Sequence, residues 1–338
     1  MTQQNKKTQV MVLMGGVSSE HEVSLMSGRK AAGALADKYD VTPVIIHRDG
    51  MWEFPGGDAV DIFAAIEKLR NTDCVFLALH GEFGEDGRIQ GLLDLLGLPY
   101  TSSGCAASAL AMDKMHSKAV VRAQGIRVAG HVALDRPTWA VDRQTVLDAV
   151  TEGVGYPCVV KPSALGSSVG MAIPGAAQAL AAALDAAFDT AAQVMVEEFV
   201  TGTEVTCAVL EPEPGGALRP LPLTEIRPKE GAYFDYHCKY TPGATEEITP
   251  AEIGPEHTAQ VQEMSAHVHQ ILGLSIWSRS DFIIDGDGPV WLEVNTIPGL
   301  TETSLYPQAA AAVGIEYPRL MRMFVEAARV RAKQQKGA

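Results

Sequence analysis

The sequence predicts a mixed α/β and α+β protein, with a parallel-sheet domain first and smaller units of antiparallel strands and helices after it. Three observations predict this. Short apolar runs alternate with amphipathic ones over the first hundred residues, the alternation changes near residue 113, and the last third carries a strand pair joined at Asp-Gly-Asp-Gly. Strands alternating with helices imply a parallel sheet covered on both faces. A chain of 338 residues, 46% of them hydrophobic, can bury a large core divided among two or three domains.

In order, VMVLM, VTPVIIH and CVFLALH read as strands, and VSLMSGRKAAGALADK, AVDIFAAIEKLR and RIQGLLDLLG as helices, giving a first domain over residues 1–112. Ligands of such sheets gather beyond the C-terminal strand ends. Two loops rich in glycine and acids lie there, GGVSSEHEVS and HGEFGEDG. Residues 113–194 follow as a smaller unit, with a helix over 113–124, strands over 157–161 and 169–173, and an Ala-rich helix over 176–187. The third unit, 195–338, carries the strand-like runs VMVEEFV, TEVTCAVL and LRPLPLTEI, a helix over 256–272, a hairpin over 278–295 and a C-terminal helix. Between them, residues 227–250 are polar and too long for an ordinary connection, so a functional loop or lid is expected.

A net charge of -14 and a pI near 5.1 exclude an extended nucleic-acid or anionic-membrane footprint, which needs clustered Lys and Arg. Any phosphate must therefore be met locally. No run has the length of a membrane-spanning helix, and the polar start MTQQNKKTQ lacks the apolar core of a signal peptide, so the expected compartment is the cytoplasm. The five cysteines (Cys74, Cys105, Cys158, Cys207, Cys238) are widely spaced without a CxxC, which fits reduced thiols.

The segment SRSDFIIDGDGPVWLEVN reads as two strands joined at the Asp-Gly turn. If that turn centres on Asp287, Asp281 lies opposite Glu293 and Arg279 opposite Asn295, all on one face, with Trp291 sharing it. Phe282, Ile284, Leu292 and Val294 then supply the opposite, apolar face. Two opposed carboxylates repel and need a cation or a shared proton. The oxygen set of Asp281, Glu293 and Asn295 suits Mg²⁺, which usually also takes phosphate oxygens. The alternative is a solvated strand face with a surface ion pair.

VVKPSALGSSVGM puts Lys161 at a strand end with a Gly-Ser-Ser-Val-Gly loop after it. Glycines let backbone N–H groups approach phosphate, serines donate further bonds and lysine supplies charge. The loop is not a Walker A sequence, and a Gly/Ser loop taken alone is most often a plain turn. Lys114, in MDK at a helix start, is a second candidate. GGVSSEHEVS has no GxGxxG, and the second strand ends in His-Arg rather than in an acid for ribose, so a nicotinamide oxidoreductase is a poor reading. Ser18, Glu20 and Glu22 can cap the following helix; Glu20 can alternatively meet an ammonium group.

Taken in series, GGVSSEHEVSL, LHGEFGEDGRIQGLL, MDK, VVKPSALGSSVG, VEEFVTGTEVT, CKYTPGATEEITPA, SRSDF and LEVNTIPGLTETSLYP resemble the D-alanine-D-alanine ligases of the ATP-grasp superfamily. The motifs stand in the family's order and span most of the chain. The resemblance implies a Rossmann-like pre-ATP-grasp domain followed by two ATP-grasp subdomains that clamp ATP between them. It implies Asp281, Glu293 and Asn295 as ligands of two Mg²⁺ (or Mn²⁺) ions on the ATP phosphates, and Lys114, Lys161, Ser167 and Ser168 around those phosphates. Glu197, Glu198 and Val200 resemble the adenine-side strand and Glu204 the ribose contact. Glu20 resembles the receiver of the first D-alanine's ammonium, networked with Ser167 and Tyr240, with His80 beside that substrate. Lys239, assigned to ATP, and Tyr240 sit on the stretch read as a lid, the family's ω-loop. Arg279 and the Gly299 N–H resemble the oxyanion-stabilising pair, and Ser304 and Leu305 the second D-alanine subsite.

The activity implied is ATP-dependent joining of two D-alanines through an acyl phosphate, a step in peptidoglycan and cell-wall synthesis. The partners implied are ATP and D-alanine, with no nucleic acid or membrane and with a homodimer as the assembly. His21 departs from the Arg common in relatives, while the Lys239-Tyr240 pair favours the dipeptide over D-alanyl-D-lactate. The rivals are an ATP-grasp ligase with another acceptor such as D-lactate, and a non-catalytic nucleotide binder, which should have lost a metal ligand.

Overall fold

The computed structural model describes residues 7–164, 166, 170–228 and 245–337. Alternating apolar runs at the start fold into β1 (Gln9–Gly15), α1 (His21–Leu35), β2 (Asp40–Ile46), β3 (Trp52–Glu53), α2 (Ile62–Leu69), β4 (Cys74–Leu77) and α3 (Arg88–Leu96). The sheet order is β3-β2-β1-β4, with β1 parallel to both β2 and β4. All four residues of β4 are buried, as a continuous apolar run between covered faces requires. The two-residue β3 pairs antiparallel with β2 and is too short to leave a sequence signal. At the end of β1, Gly15 and Gly16 take φ of 88° and 96°, and Gly16 N–H donates to the Ile46 carbonyl at 2.7 Å. A side chain at Gly15 would strike that carbonyl, so the sharp exit into the GGVSSEHEVS loop depends on glycine.

Next come α4 (Cys105–Met112), α5 (Lys114–Ala123), β5 (His131–Asp135), α6 (Arg136–Val141), α7 (Arg143–Gly153), β6 (Cys158–Pro162), α8 (Ala177–Thr190) and β7 (Gln193–Glu198). Asp113 caps α5, accepting the N–H groups of Met115 and His116 at 3.1 and 3.2 Å, which starts the helix at Lys114 and holds that lysine at its first position. Strands β5-β7-β6 form an antiparallel sheet packed on Trp139, Val150, Leu180, Leu184 and Phe188. The strand expected over 169–173 reduces to a bridge from Ala172 to Val160; Val169 lies outside the described residues.

The last part holds β8 (Thr203–Leu210), β9 (Arg219–Pro220), β10 (Thr224–Pro228), β11 (Thr245–Ile248), α9 (Pro255–Ile271), β12 (Trp277–Asp285), β13 (Gly288–Asn295), α10 (Leu305–Ala311) and α11 (Tyr317–Gly337). Its sheet runs β11-β10-β8-β12-β13, with β9 beside β8. Residues 227–228 and 245–248 of the expected lid pair as strands, and residues 229–244 between them lie outside the described residues. Helix α11 returns to the first sheet: Leu320, Met321, Phe324 and Val325 share one core with Val12, Leu13 and Phe76. Phe324 also stacks on Trp277 at 4.5 Å between centroids, and Tyr306 meets Trp277 edge-on at 5.2 Å, so this core runs on into β12. Among the described residues no helix is long and apolar enough to cross a membrane.

Candidate active site

The hairpin β12–β13 sets Asp281 opposite Glu293 and Arg279 opposite Asn295, the register expected from the sequence. The turn itself differs: Asp285 faces Gly288, so Gly286 and Asp287 alone form it and its centre falls between them rather than on Asp287. A bulge between Asp281 and Phe282, with Leu292 as the extra residue, restores the register in the half that carries the acids. The same bulge moves Trp291 to the face opposite Glu293. Trp291 is paired with Phe282 and buried in a core with Phe282 and Val294, which corrects its expected place beside Glu293 and Asn295.

Arg279 grips Asp281 with Nε and Nη2, each at 2.8 Å, and Asn295 Nδ2 donates to the same carboxylate at 3.2 Å. Burial opposes the Arg279 charge, but Asp281 and Glu293 outweigh it and hold its pKa above the ordinary value. Lys114 Nζ stands 3.4 Å from Glu293. The two opposed carboxylates are thus each matched by a cation. Among the described residues no group of three or more His, Cys, Asp or Glu side chains could hold a metal; the oxygen set here is two carboxylates and an amide.

A second charge cluster lies where β6 and β7 pair. Glu197, 1% exposed, receives Lys161 Nζ at 2.8 Å and Lys118 Nζ at 2.7 Å. Burial would raise the Glu197 carboxyl, yet the two lysines overcome it and hold it near about 2. Lys118 is fully buried, its ammonium 5.5 Å from the centre of the Trp291 ring. Sequence reasoning missed Lys118. The signal was available, since a lysine four residues after Lys114 lies on the same helix face. Glu198 points elsewhere and accepts the Gly130 N–H at 2.9 Å. Val200 lies in the short link to β8, and Glu204 stands on β8 opposite Ile283 and Ile226.

Glu20 precedes α1 but makes no capping bond to it, so its carboxylate is not explained by the helix. Ser18 accepts the Glu20 N–H at 3.2 Å and donates to the His80 carbonyl at 2.7 Å, while exposed Glu22 pairs with Arg48 at 3.7 Å. A Cβ at Gly81 or Gly166 would sit 2.8 or 2.9 Å from Glu20 Oε2, so two loops close on this carboxylate through glycines. Buried His80 hydrogen-bonds Ser27 Oγ through Nε2 at 2.8 Å and the Ile297 carbonyl through Nδ1 at 2.9 Å. Beside Glu20, Glu85 is buried, and burial together with the Glu20 charge pushes its carboxyl up to about 8.

Glu20, Glu85, Lys114, Gly166, Glu293 and Asn295 line one cavity that is partly open to solvent. It joins the first sheet's loops, the start of α5 and the end of β13. Beyond β13, Gly299 packs so tightly on Ser304 that a Cβ would lie 2.9 Å from its hydroxyl. Ser304 Oγ accepts the Thr301 N–H at 3.1 Å, and Leu305 begins α10 and is buried. Ser167, Ser168, Lys239 and Tyr240 lie outside the described residues.

Comparison with known proteins matches residues 9–60 and 56–103 to the D-ala D-ala ligase N-terminus and residues 120–326 to the D-ala D-ala ligase C-terminus. The chain belongs to the D-alanine-D-alanine ligase family. It is 43% identical over 319 residues to the D-alanine--D-alanine ligase of Halalkalibacterium halodurans, covering 94% of this chain and 97% of that one. The Leptospira biflexa D-alanine--D-alanine ligase is 39% identical over 348 residues, covering 95% and 98%. Among solved structures, the Bacillus anthracis D-alanine--D-alanine ligase complexed with ATP superposes with a TM-score of 0.79 at 31% identity, covering 97% of this chain and 99% of that one. The VanG D-Ala:D-Ser ligase of Enterococcus faecalis gives 0.83 at 30%, covering 96% and 100%. The fold is therefore that of the ATP-grasp ligases, and the chain is an ATP-dependent ligase.

Proposed function

We propose that this enzyme joins two D-alanines at the cavity lined by Glu20, Lys114, Glu293 and Asn295, spending ATP to activate the first. The observation that carries the reading is the convergence there of a carboxylate from the first loop, a lysine from α5 and the β13 acid and amide. Relatives named D-alanine--D-alanine ligase at about this identity favour D-alanine over D-lactate as acceptor. Residues 1–112, 113–194 and 195–338 act as three domains, with α11 tying the third back onto the first sheet.

The reaction has two steps. The carboxylate of one D-alanine attacks the γ-phosphorus of ATP, releasing ADP and leaving an acyl phosphate. The amine of the second D-alanine attacks the activated carbonyl, and phosphate departs from the tetrahedral adduct. Both steps concentrate negative charge, so the work of the site is charge neutralisation and positioning. Glu20 receives the first ammonium, with His80 beside it. Lys114 and Lys161 meet phosphate oxygens, Glu197 fixes Lys161, and the adenosine lies along Glu198, Val200 and Glu204. Arg279, steered by its two bonds to Asp281, and the Gly299 N–H face the developing oxyanion, and Ser304 and Leu305 receive the second D-alanine. The roles expected of Ser167, Ser168, Lys239 and Tyr240 fall on residues outside the described ones; the chemistry itself requires that water be kept from the acyl phosphate, which it would hydrolyse.

The residues fit divalent ions. Asp281, Glu293 and Asn295 offer hard oxygens on one strand face, and Arg279 and Lys114 already share the negative charge that cations would neutralise. Mg²⁺ or Mn²⁺ held there supplies further neutralisation of the phosphates. A homodimer working in the cytoplasm completes the proposal. The test is phosphate release from ATP with D-alanine, L-alanine, D-serine or D-lactate supplied singly; release confined to D-alanine is expected, and none with D-alanine would overturn the reading.

A further inference from the structure

The turn at 297–300, which carries Gly299, is held almost entirely by side chains of the first sheet's loops and helices. Glu85 bridges two backbone segments with one oxygen each: Oε2 accepts the Gly81 N–H at 2.9 Å and Oε1 accepts the Ile297 N–H at 2.9 Å. His80 Nδ1 faces a carbonyl, Ile297 O, and so must carry the proton; Nε2 is then the acceptor for the Ser27 hydroxyl. Ser27 Oγ in turn accepts the Leu300 N–H at 3.4 Å, and Tyr317 donates to the Leu300 carbonyl at 2.6 Å. Pro298 offers no N–H. Both polar backbone groups of Ile297 and of Leu300 are therefore matched by Ser27, His80, Glu85 and Tyr317, and Gly299 sits between them.

The bonds are directional and buried. Ser27, Ile297 and Leu300 are essentially inaccessible and His80 and Glu85 nearly so, so water cannot replace a missing partner. Backbone bonds from β13 stop at Asn295, and no strand pairing orients the turn beyond it. Apart from Tyr317, the side chains that place it lie more than two hundred residues away in the chain.

We propose that Ser27 and Glu85 are positioning residues for ligation: by clamping turn 297–300 to the first-substrate loop they hold the Gly299 N–H on the oxyanion of the tetrahedral adduct. The inference rests on the role given to Gly299 above. It also links the two substrate sites, because the Gly81 loop that closes on Glu20 and the turn leading to Ser304 share one carboxylate.

The test uses the full-length enzyme carrying Glu85→Gln or Ser27→Ala. Glutamine keeps the shape, but its NH2 has no lone pair to offer, whereas either oxygen of the Glu85 carboxyl, ionised or protonated, can accept a backbone N–H; alanine removes the Ser27 link. Each should lower kcat about tenfold or more and weaken binding of a phosphinate analogue of the tetrahedral adduct in proportion, with KM for ATP within about twofold. Hydrogen exchange of the peptide holding the Ile297 and Leu300 amides should quicken about tenfold in both variants. Exchange unchanged from the parent enzyme overturns the clamp, and this readout needs no turnover. Faster exchange with unaltered kcat and analogue affinity overturns the proposal at the other end, by removing the role of Gly299. A weakened KM for D-alanine with full kcat overturns it in favour of a direct substrate contact. Failure of the parent enzyme to release phosphate with D-alanine condemns the functional reading instead.

Discussion

Replacing Glu197 by Gln leaves two lysines, one of them fully buried, facing a neutral amide. In the folded protein the Glu197 carboxyl falls from 4.5 to about 2 because Lys118 and Lys161 stand 2.7 and 2.8 Å away. At about 1.36 kcal/mol per pH unit, that fall is worth at most roughly 3 kcal/mol of stability at neutral pH, since burial lowers the Lys118 ammonium in the same pair and returns part of it. The low end of the cost of stranding one partner of a buried pair is also about 3 kcal/mol. The sign follows from linkage: a depressed carboxyl stabilises above its unfolded pKa, and that contribution is lost as pH falls from about 4.5 toward about 2. Urea denaturation of Glu197→Gln should therefore show about 3 kcal/mol less stability than the parent at pH 7, with the gap shrinking below pH 4.5. Adding Lys118→Met should recover part of the loss, since an apolar chain of similar length needs no counter-charge. A loss under about 1 kcal/mol, or one that does not change with pH, would refute the reasoning.

Glu293→Gln keeps shape and removes the charge matched by Lys114, so kcat should fall at least about 10²-fold while the circular dichroism melt stays within a few degrees of the parent. Arg279→Lys loses the two-point grip on Asp281, and a point charge cannot replace it; steady-state kinetics should show kcat down on the order of 10²-fold. Gly299→Ala must displace the Ser304 hydroxyl, now 2.9 Å from where the methyl would stand, and kcat should drop about tenfold to a hundredfold with a nearly normal melting temperature. Excess chelator should stop turnover and added Mg²⁺ restore it, the activity being followed by phosphate release.

Much of this site was readable before any coordinates. Alternation within SRSDF and WLEVN gave the shared face because strand periodicity is local, but the Asp281–Glu293 and Arg279–Asn295 pairs rested on a turn centred on Asp287 and hold only because the bulge offsets the turn's actual place. The bulge at Leu292 was not readable, since no residue type there marks one, and it alone reversed the face of Trp291. Lys118 was not singled out, although its spacing of four from Lys114 puts both on one helix face. Only the tertiary approach of β7 shows it buried on Glu197. Glu85 stands in the HGEFGEDG loop, yet its partner Ile297 lies 212 positions later, a distance no local pattern spans. The seat of α11 on the first sheet escaped for the same reason: an apolar helix face announces that it will be covered, not by what.

The account's central claim is that the carboxylate of one D-alanine is phosphorylated before the peptide bond forms. Supplying D-alanine with both carboxylate oxygens replaced by ¹⁸O tests it directly, with the released phosphate read by mass spectrometry. One ¹⁸O should appear in each phosphate released, matched one for one by D-alanyl-D-alanine. Unlabelled phosphate formed alongside the dipeptide would contradict the acyl phosphate and the arrangement of the site built around it.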